Sequence, residues 1–278
     1  MSVANPISDA EIDAAIDRLR DIVQAAGGDQ DRAYWQHERR YRRSVRRICR
    51  LAPRGGTLLD VGSHFLHQAA VLSMLGYKVV GIDVPEFADN PQTRARAAQF
   101  GIENHAVARM ELGTFLAGRE NGFDLVIFCE ILEHITFNPV QFWKRIYELL
   151  KIGGKLYITT PNGMSAWQIA SNVKRSLLLE GAGVPVPSIL QEVTFGHHWK
   201  EYSARELHDL FRGLSPDFVV HTEFYNLRPF EPWTGLKSGV RDLVRRIASG
   251  IPELRDELEA TVTLSGRTAW IAAPPRYH

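Results

Sequence analysis

Apolar and polar positions along this chain follow two periods, and the change between them falls near residue 55. Residues 9–26 place Ile12, Ile16, Leu19 and Ile22/Val23 at helical spacing, with Ser8 positioned to cap the first turn and Gly27-Gly28 to end the helix. A second helix is predicted from about Asp31 to Leu51, closed by Pro53 and Gly55-Gly56. From there short apolar runs alternate with helical stretches. Thr57–Val61, Lys78–Asp83, Glu103–Val107, Phe123–Cys129 and Lys155–Thr160 predict strands. Helical patterns up to Leu75, over 92–99 and over 139–150 lie between them. Beyond Pro161 the pattern predicts a helix near 164–175, a Gly/Pro-rich loop over 180–196, a helix over 203–213, and a strand over 217–224. An inserted helical segment over 225–262 and a final strand, Arg267–Ala273, complete the reading.

Strands alternating with helices at this spacing imply an α/β protein: a Rossmann-like, mostly parallel sheet of seven strands flanked by helices. Residues 1–54 read as a helical N-terminal cap, and 55–278 as the core carrying the insertion at about 225–262.

Composition narrows the classes. A chain of 278 residues, 45% hydrophobic and 23% charged, can bury a sizeable core. A formal net charge of +1 argues against a general polyanion binder. The first fifteen residues are polar and acidic, unlike a secretory signal, and no apolar run approaches the roughly 18 residues of a membrane span. Cys49 and Cys129 are too far apart in sequence for a metal-type pair, so a reducing cytoplasm is the expected setting.

Open α/β sheets bind ligands at the carboxyl ends of their strands, where strand order reverses. The first strand ends in Asp60-Val61-Gly62-Ser63 and the second in Asp83, 21 residues beyond Gly62, where a carboxylate can accept both hydroxyls of a ribose. A nicotinamide dinucleotide would need G-x-G-x-x-G directly after the first strand. Gly62-Ser63-His64-Phe65-Leu66-His67 lacks the second and third glycines, which sets that cofactor aside.

Leu58–Gly62, Val80–Asp83, Phe123–Ile127, Leu149–Leu156 and Thr159–Asn162 resemble, in order and spacing, the successive motifs of class I S-adenosylmethionine-dependent methyltransferases. The resemblance covers roughly residues 55–224. It implies that Asp60, Gly62 and Ser63 line the methionine end of the cofactor, Asp83 the ribose, Val84 with Met110-Glu111 the adenine, and Cys129 the amino-acid tail through its backbone. One departure stands out: His64 and Leu66 occupy the places of the family's second and third motif glycines, where tight turning and close backbone approach are needed.

Transfer to an alcohol oxygen needs a base or a metal that lowers the hydroxyl pKa. Glu130, Glu133 and His134 directly follow the fourth strand at i, i+3 and i+4, so one helical turn would aim all three at one point. His197-His198 precede a later helix. This pairing is similar to that of the ubiquinone-pathway O-methyltransferases and of the small-RNA 3′-terminal 2′-O-methyltransferases, in which it accompanies a divalent metal. Carried over by position, Glu130, Glu133, His134 and His198 are candidate ligands for an ion such as Mg²⁺. Related methyltransferases carry Glu-His here without metal, and on that reading His134 and His198, with Glu130, serve as base or as pocket wall.

Residues 39–50 hold seven arginines, either a solvated face or a site for phosphate or carboxylate, and Arg40 or Arg43 is placed to meet the methionine carboxylate. Tyr34, Tyr41, Val45 and Ile48 form the apolar stripe of the same helix, expected to pack on the core. Tyr225, Phe230 and Trp233 are candidate walls for a sugar or aromatic acceptor. The sequence therefore points to O-methylation of a sugar or other small polar metabolite, with nucleic acid disfavoured for want of a broad basic surface. A catalytically silent, methyltransferase-like binding subunit and an RNA-terminal 2′-O-methyltransferase are the alternatives.

Overall fold

The computed structural model describes residues 6–27, 29–181, 183–191, 193–227, 243, 246 and 248–273. Helix α1 (Asp9–Ala26) starts on a capping box in which Ser8 and Glu11 satisfy each other's backbone N–H groups. It buries Ile12, Ala15, Ile16, Leu19 and Val23, one face at helical spacing. Helix α2 (Asp29–Leu51) adds Tyr34, Val45 and Ile48 to the same core.

Seven strands follow: β1 (Thr57–Val61), β2 (Lys78–Asp83), β3 (Glu103–Ala106), β4 (Phe123–Cys129), β5 (Leu150–Pro161), β6 (Phe218–Tyr225) and β7 (Glu257–Leu264). They form one sheet in the order β3-β2-β1-β4-β5-β7-β6, parallel except where β7 runs against β5 and β6. Between them lie α3 (His67–Met74), α4 (Pro85–Ala88), α5 (Pro91–Phe100), α6 (Val140–Leu149), α7 (Ala166–Leu177), α8 (Val186–Gln191) and α9 (Ala204–Leu214).

Strand alternation sends Leu59, Val126, Phe128, Leu156 and Ile158 to a core shared with α6 and α9, and Leu58, Leu125, Ile127 and Tyr157 to one shared with α1, α2 and α3. Both sheet faces are thus covered, which is why β1 and β4 read as nearly unbroken apolar runs. Chain order reverses between β1 and β4, and the crevice opens there.

The C-terminal expectation needs correcting. The run 225–262 does not end as a helical segment but in β7, and Arg267–Ala273 is not a strand. Glu257 and Glu259 gave the β7 run a helical look. Both glutamates point to one face and meet arginines of α2, while Leu258, Ala260, Val262 and Leu264 fill the opposite core. Trp270 and Ala272 still pack on that core, and Ile271 donates its backbone N–H to the Leu214 carbonyl. Tyr225 closes β6 as a buried ring beneath the Arg43 guanidinium, 3.8 Å away, and so walls no loop pocket. Phe230 and Trp233 lie outside the described residues. Among the described residues no helix is long and apolar enough to cross a membrane.

Candidate active site

At the strand-order reversal, the carboxyl ends of β1, β2 and β4 border a crevice of about 800 Å³. It gathers Asp60, Gly62, Ser63, Asp83, Val84, Met110, Glu111, Cys129, Glu130, Glu133, His134 and His198, the cofactor, catalytic and metal candidates of the sequence.

Gly62 turns the chain out of β1 with φ +69°, and its N–H donates to the Ile82 carbonyl at 2.9 Å. His64 (φ +48°) and Leu66 (φ +60°) also adopt left-handed backbone. The conformation that glycine would take freely is therefore kept by two bulky residues, at a cost of about 1 kcal/mol each. Two things offset that strain. Leu66 is fully buried, and His64 donates its backbone N–H to Asp83 Oδ2 at 2.6 Å while its ring packs between Phe65 and Phe87. Burial pulls the His64 pKa down to about 4, so the imidazole is neutral.

Asp83 ends β2 with both carboxylate oxygens held, Oδ1 by the Val84 N–H at 2.7 Å and Oδ2 by that of His64. Each oxygen keeps a second lone pair for a ligand hydroxyl. Burial pushes its pKa up to about 6 against those two donors. Asp60, 4% exposed, has no basic partner among the described residues; burial and then Asp83 push its pKa up to about 8. With Glu111, Glu130, Glu133 and Glu257 also at its wall and Arg40 as its arginine, the crevice suits a ligand bearing positive charge.

The acceptor end is built on the segment after β4. Leu132–His134 makes a single 3-10 turn, shorter than the helical turn expected, so Glu130 is not carried to the point shared by Glu133 and His134. Glu130 has φ +57°; it accepts from Thr159 Oγ1 at 2.9 Å and pairs with Arg40 at 3.0 Å. Glu133, His134 and His198 do converge, each offering a ligand atom within 4.8 Å of the others. Glu133 is fully buried: Oε2 accepts from Thr160 Oγ1 at 2.9 Å, and Oε1 has no hydrogen-bond partner. Burial first, then the charge of Glu130, raises its pKa.

His134 Nδ1 lies 3.0 Å from the His197 carbonyl, which can only accept, so Nδ1 carries the proton and Nε2 is left with its lone pair. Burial lowers the His134 pKa, whereas the Glu201 carboxylate, 3.2 Å from His198 Nδ1, raises that of His198. Oxygen partners on both Nδ1 atoms orient the two rings, and His134 Nε2 lies 3.9 Å from Glu133 Oε1, the kind of arrangement that presents imidazoles to a cation. The Trp199 N–H, donating to the Glu133 carbonyl at 2.8 Å, fixes the His197-His198 segment onto this turn.

Three wall residues lay beyond sequence reasoning. Tyr41 lines the crevice instead of packing wholly in the core, Phe87 comes from the short helix α4, and Glu257 from β7. Arg40 lines the crevice already bound to Glu130 and Glu257, while Arg43 turns to Glu259 and is not among its walls.

This sheet order, with acid-capped β1 and β2 beside a crevice at the reversal point, defines an S-adenosylmethionine-dependent methyltransferase of Rossmann-like fold. A model of the methyltransferase domain matches residues 34–214, and the chain belongs to that family. No curated protein matches the sequence.

Among solved structures, a putative methyltransferase from Haloferax volcanii, in complex with the activator Trm112, superposes with a TM-score of 0.57 at 15% identity. The match covers 87% of this chain and 96% of that one. The Burkholderia thailandensis 1,6-didemethyltoxoflavin-N1-methyltransferase, bound to its substrate and S-adenosylhomocysteine, gives 0.55 at 17% identity, covering 95% and 93%. An S-adenosylmethionine-dependent methyltransferase from Mesorhizobium loti gives 0.51 at 15%, covering 79% and 95%. At these identities the likeness is one of fold.

Proposed function

We propose that this enzyme transfers the methyl group of S-adenosylmethionine to a hydroxyl of a sugar or another small polar metabolite, assisted by a divalent cation held by Glu133, His134 and His198. The observation that carries the reading is the buried Glu133 Oε1, which has no hydrogen-bond partner and lies 3.9 Å from His134 Nε2, with the His198 imidazole converging on the same point of the crevice that holds Asp83. Carboxylate plus imidazole suits ions such as Mg²⁺, Mn²⁺ or Fe²⁺. Glu130, committed to Arg40 and Thr159, leaves a three-residue set with room for acceptor oxygens.

On this reading Asp83 binds the ribose of the donor, Val84 and Met110 the adenine, and Asp60 with the Gly62 turn the positively charged methionine end. The donor supplies an activated methyl group and its own leaving group, so the chain's task is to orient the acceptor and manage its proton. A cation held by Glu133, His134 and His198 would lower the hydroxyl pKa. With that cation bound, the His134 Nε2 lone pair would serve as a ligand and the proton of the acidified hydroxyl would leave to solvent. With no cation, His134, held neutral by burial and fixed through Nδ1, is placed to take the proton at Nε2. That metal-free route suits a more acidic acceptor. The toxoflavin-precursor enzyme, which binds a small heterocycle, makes a small-molecule acceptor the natural class to test.

The test is a screen with labelled S-adenosylmethionine across sugars, nucleotide sugars and catechols, with Mg²⁺, Mn²⁺ or excess chelator. Turnover that depends on the ion, and is abolished in Glu133→Ala and His198→Ala, supports the reading. Full activity in chelator removes the cation and leaves His134 as base.

A further inference from the structure

Beside the crevice, α2 and the outer strands enclose a second cavity of about 430 Å³, lined by six arginines of α2 between Arg39 and Arg50 facing Glu223 and Glu259. We propose that this cavity is a binding site for the phosphate or diphosphate group of a small-molecule ligand.

The arginines are of two kinds. Arg43 and Arg47 are fixed: both reach Glu259, itself 1% exposed, at 3.2 and 2.8 Å, and Arg43 also lies over the Tyr225 ring. Arg43 Nε is buried with no hydrogen-bond partner. Arg39, Arg46 and Arg50 are exchangeable. Arg46 pairs with Asp13 and Arg50 approaches Asp9 only to 3.9 Å; both acids are solvent-exposed, so these pairs are weak and readily traded, whereas Arg42 is held more firmly by the half-buried Glu38 at 2.8 Å. Arg39 is exposed and has no ion pair among the described residues.

No lysine lines the cavity among the described residues. Arginine forks bind the oxygens of a phosphate two at a time, and the number of forks here exceeds what one carboxylate would occupy. The surroundings exclude an extended polyanion: Asp9, Glu11, Asp13 and Asp17 of α1 flank the arginines, and the whole chain carries a net charge of only +1.

The site adjoins the catalytic crevice. Arg40 and Glu257 clasp at the crevice wall, and Arg43 with Glu259 repeats the clasp about one helical turn and two strand residues further on. A phosphate held here belongs either to the methyl acceptor or to a separate phosphorylated ligand. The site itself stands whichever acceptor the enzyme uses.

Calorimetry on the full chain with sodium pyrophosphate and with inorganic phosphate, at constant ionic strength, tests it. One saturable site per chain is expected. In Arg39→Gln/Arg50→Gln its affinity should fall tenfold or more, with S-adenosylhomocysteine affinity unchanged within about twofold. Arg39→Gln alone, which removes no ion pair, should fall less but measurably, and guards against a misfolded double variant. No saturable heat at millimolar anion, or equal binding by wild type and variants, overturns the proposal. So does a short single-stranded RNA that binds more tightly than pyrophosphate and is lost in the same variants. Paired phosphorylated and unphosphorylated sugar acceptors in the labelled-methyl assay separate the two sources. A tenfold rise of KM in the double variant for the phosphorylated form alone places the phosphate on the acceptor. Unchanged KM with pyrophosphate binding lost places it on a separate ligand.

Discussion

Ile131 lies over the α-carbon of Gly62: a β-carbon built on Gly62 would come within 2.0 Å of Ile131 Cδ1 and 2.6 Å of its Cγ1. The two residues belong to the turns after β1 and β4, so their contact closes the floor of the crevice where strand order reverses. Gly62→Ala therefore adds a left-handed backbone penalty and a clash, together costing about 2–4 kcal/mol. Denaturant unfolding should show this loss. Gly62→Ala/Ile131→Ala should recover part of it, because the clash is removed and the backbone penalty is not. Equal losses in both variants would mean that Ile131 yields freely and the contact fixes nothing.

Asp83 makes cofactor affinity depend on pH. Its carboxyl, pushed up to about 6 by burial, must be ionised to accept two ribose hydroxyls while also accepting from His64 and Val84. Affinity for S-adenosylhomocysteine should then rise about tenfold between pH 5 and pH 7 and level off above. Asp60, pushed up to about 8, stays largely protonated across that window and adds little slope. Asp83→Asn should flatten the profile and weaken binding by about 1–3 kcal/mol through lost charge-assisted hydrogen bonds. Titration calorimetry at three pH values measures both, and a flat wild-type profile would refute the assignment of Asp83.

The sequence made the crevice legible because its residues sit at fixed places in a repeating pattern: strand ends give Asp60, Asp83 and Cys129, and the turns after them Gly62, Glu133 and His134. What escaped was set by long-range pairing. Glu257 and Glu259 read as helix-like because nothing local shows that α2 supplies their partners. Arg43 and Glu259 meet across 216 residues. The doubt raised by His64 and Leu66 had a physical answer invisible in residue type, since a backbone hydrogen bond to Asp83 holds His64, and burial holds Leu66, in the glycine conformation. Glu130 failed to join Glu133 and His134 because a 3-10 turn, not an α-turn, follows β4.

The clasp between α2 and the outer strands should dominate the stability of that end of the sheet. Glu259 accepts from Tyr157 Oη at 3.1 Å besides holding Arg43 and Arg47. Glu259→Ala leaves the buried Tyr157 hydroxyl unpaired and Arg43 without its carboxylate, while Arg47 keeps Glu223, at a cost of about 2–3 kcal/mol. Glu259→Gln, which keeps the shape and one acceptor, should cost clearly less. Urea midpoints of the two variants provide the comparison; similar midpoints would show that the carboxylate charge is irrelevant to docking α2.

Asp60 gives the ligand-free enzyme an unusual pH response. Its folded pKa, about 8, lies above the ordinary carboxylate value near 4, so between those limits the folded chain binds more protons than the unfolded one. The Asp60 contribution to unfolding free energy must then fall as pH rises through this window, by at most about 1.4 kcal/mol per unit. Asp83 adds the same sign up to about pH 6. Scanning calorimetry from pH 7 to 8.5, above the range in which His64, neutral in the fold, acts in the opposite sense, should show Tm declining. Asp60→Asn should lessen the slope without removing it, because burial also raises the Glu133 and Glu257 carboxyls. A positively charged donor offsets the ionised Asp60, so saturating S-adenosylmethionine should raise Tm more at pH 8 than at pH 5. A Tm that climbs with pH in parallel for wild type and Asp60→Asn would show that Asp60 is solvated and that no cationic group is awaited there.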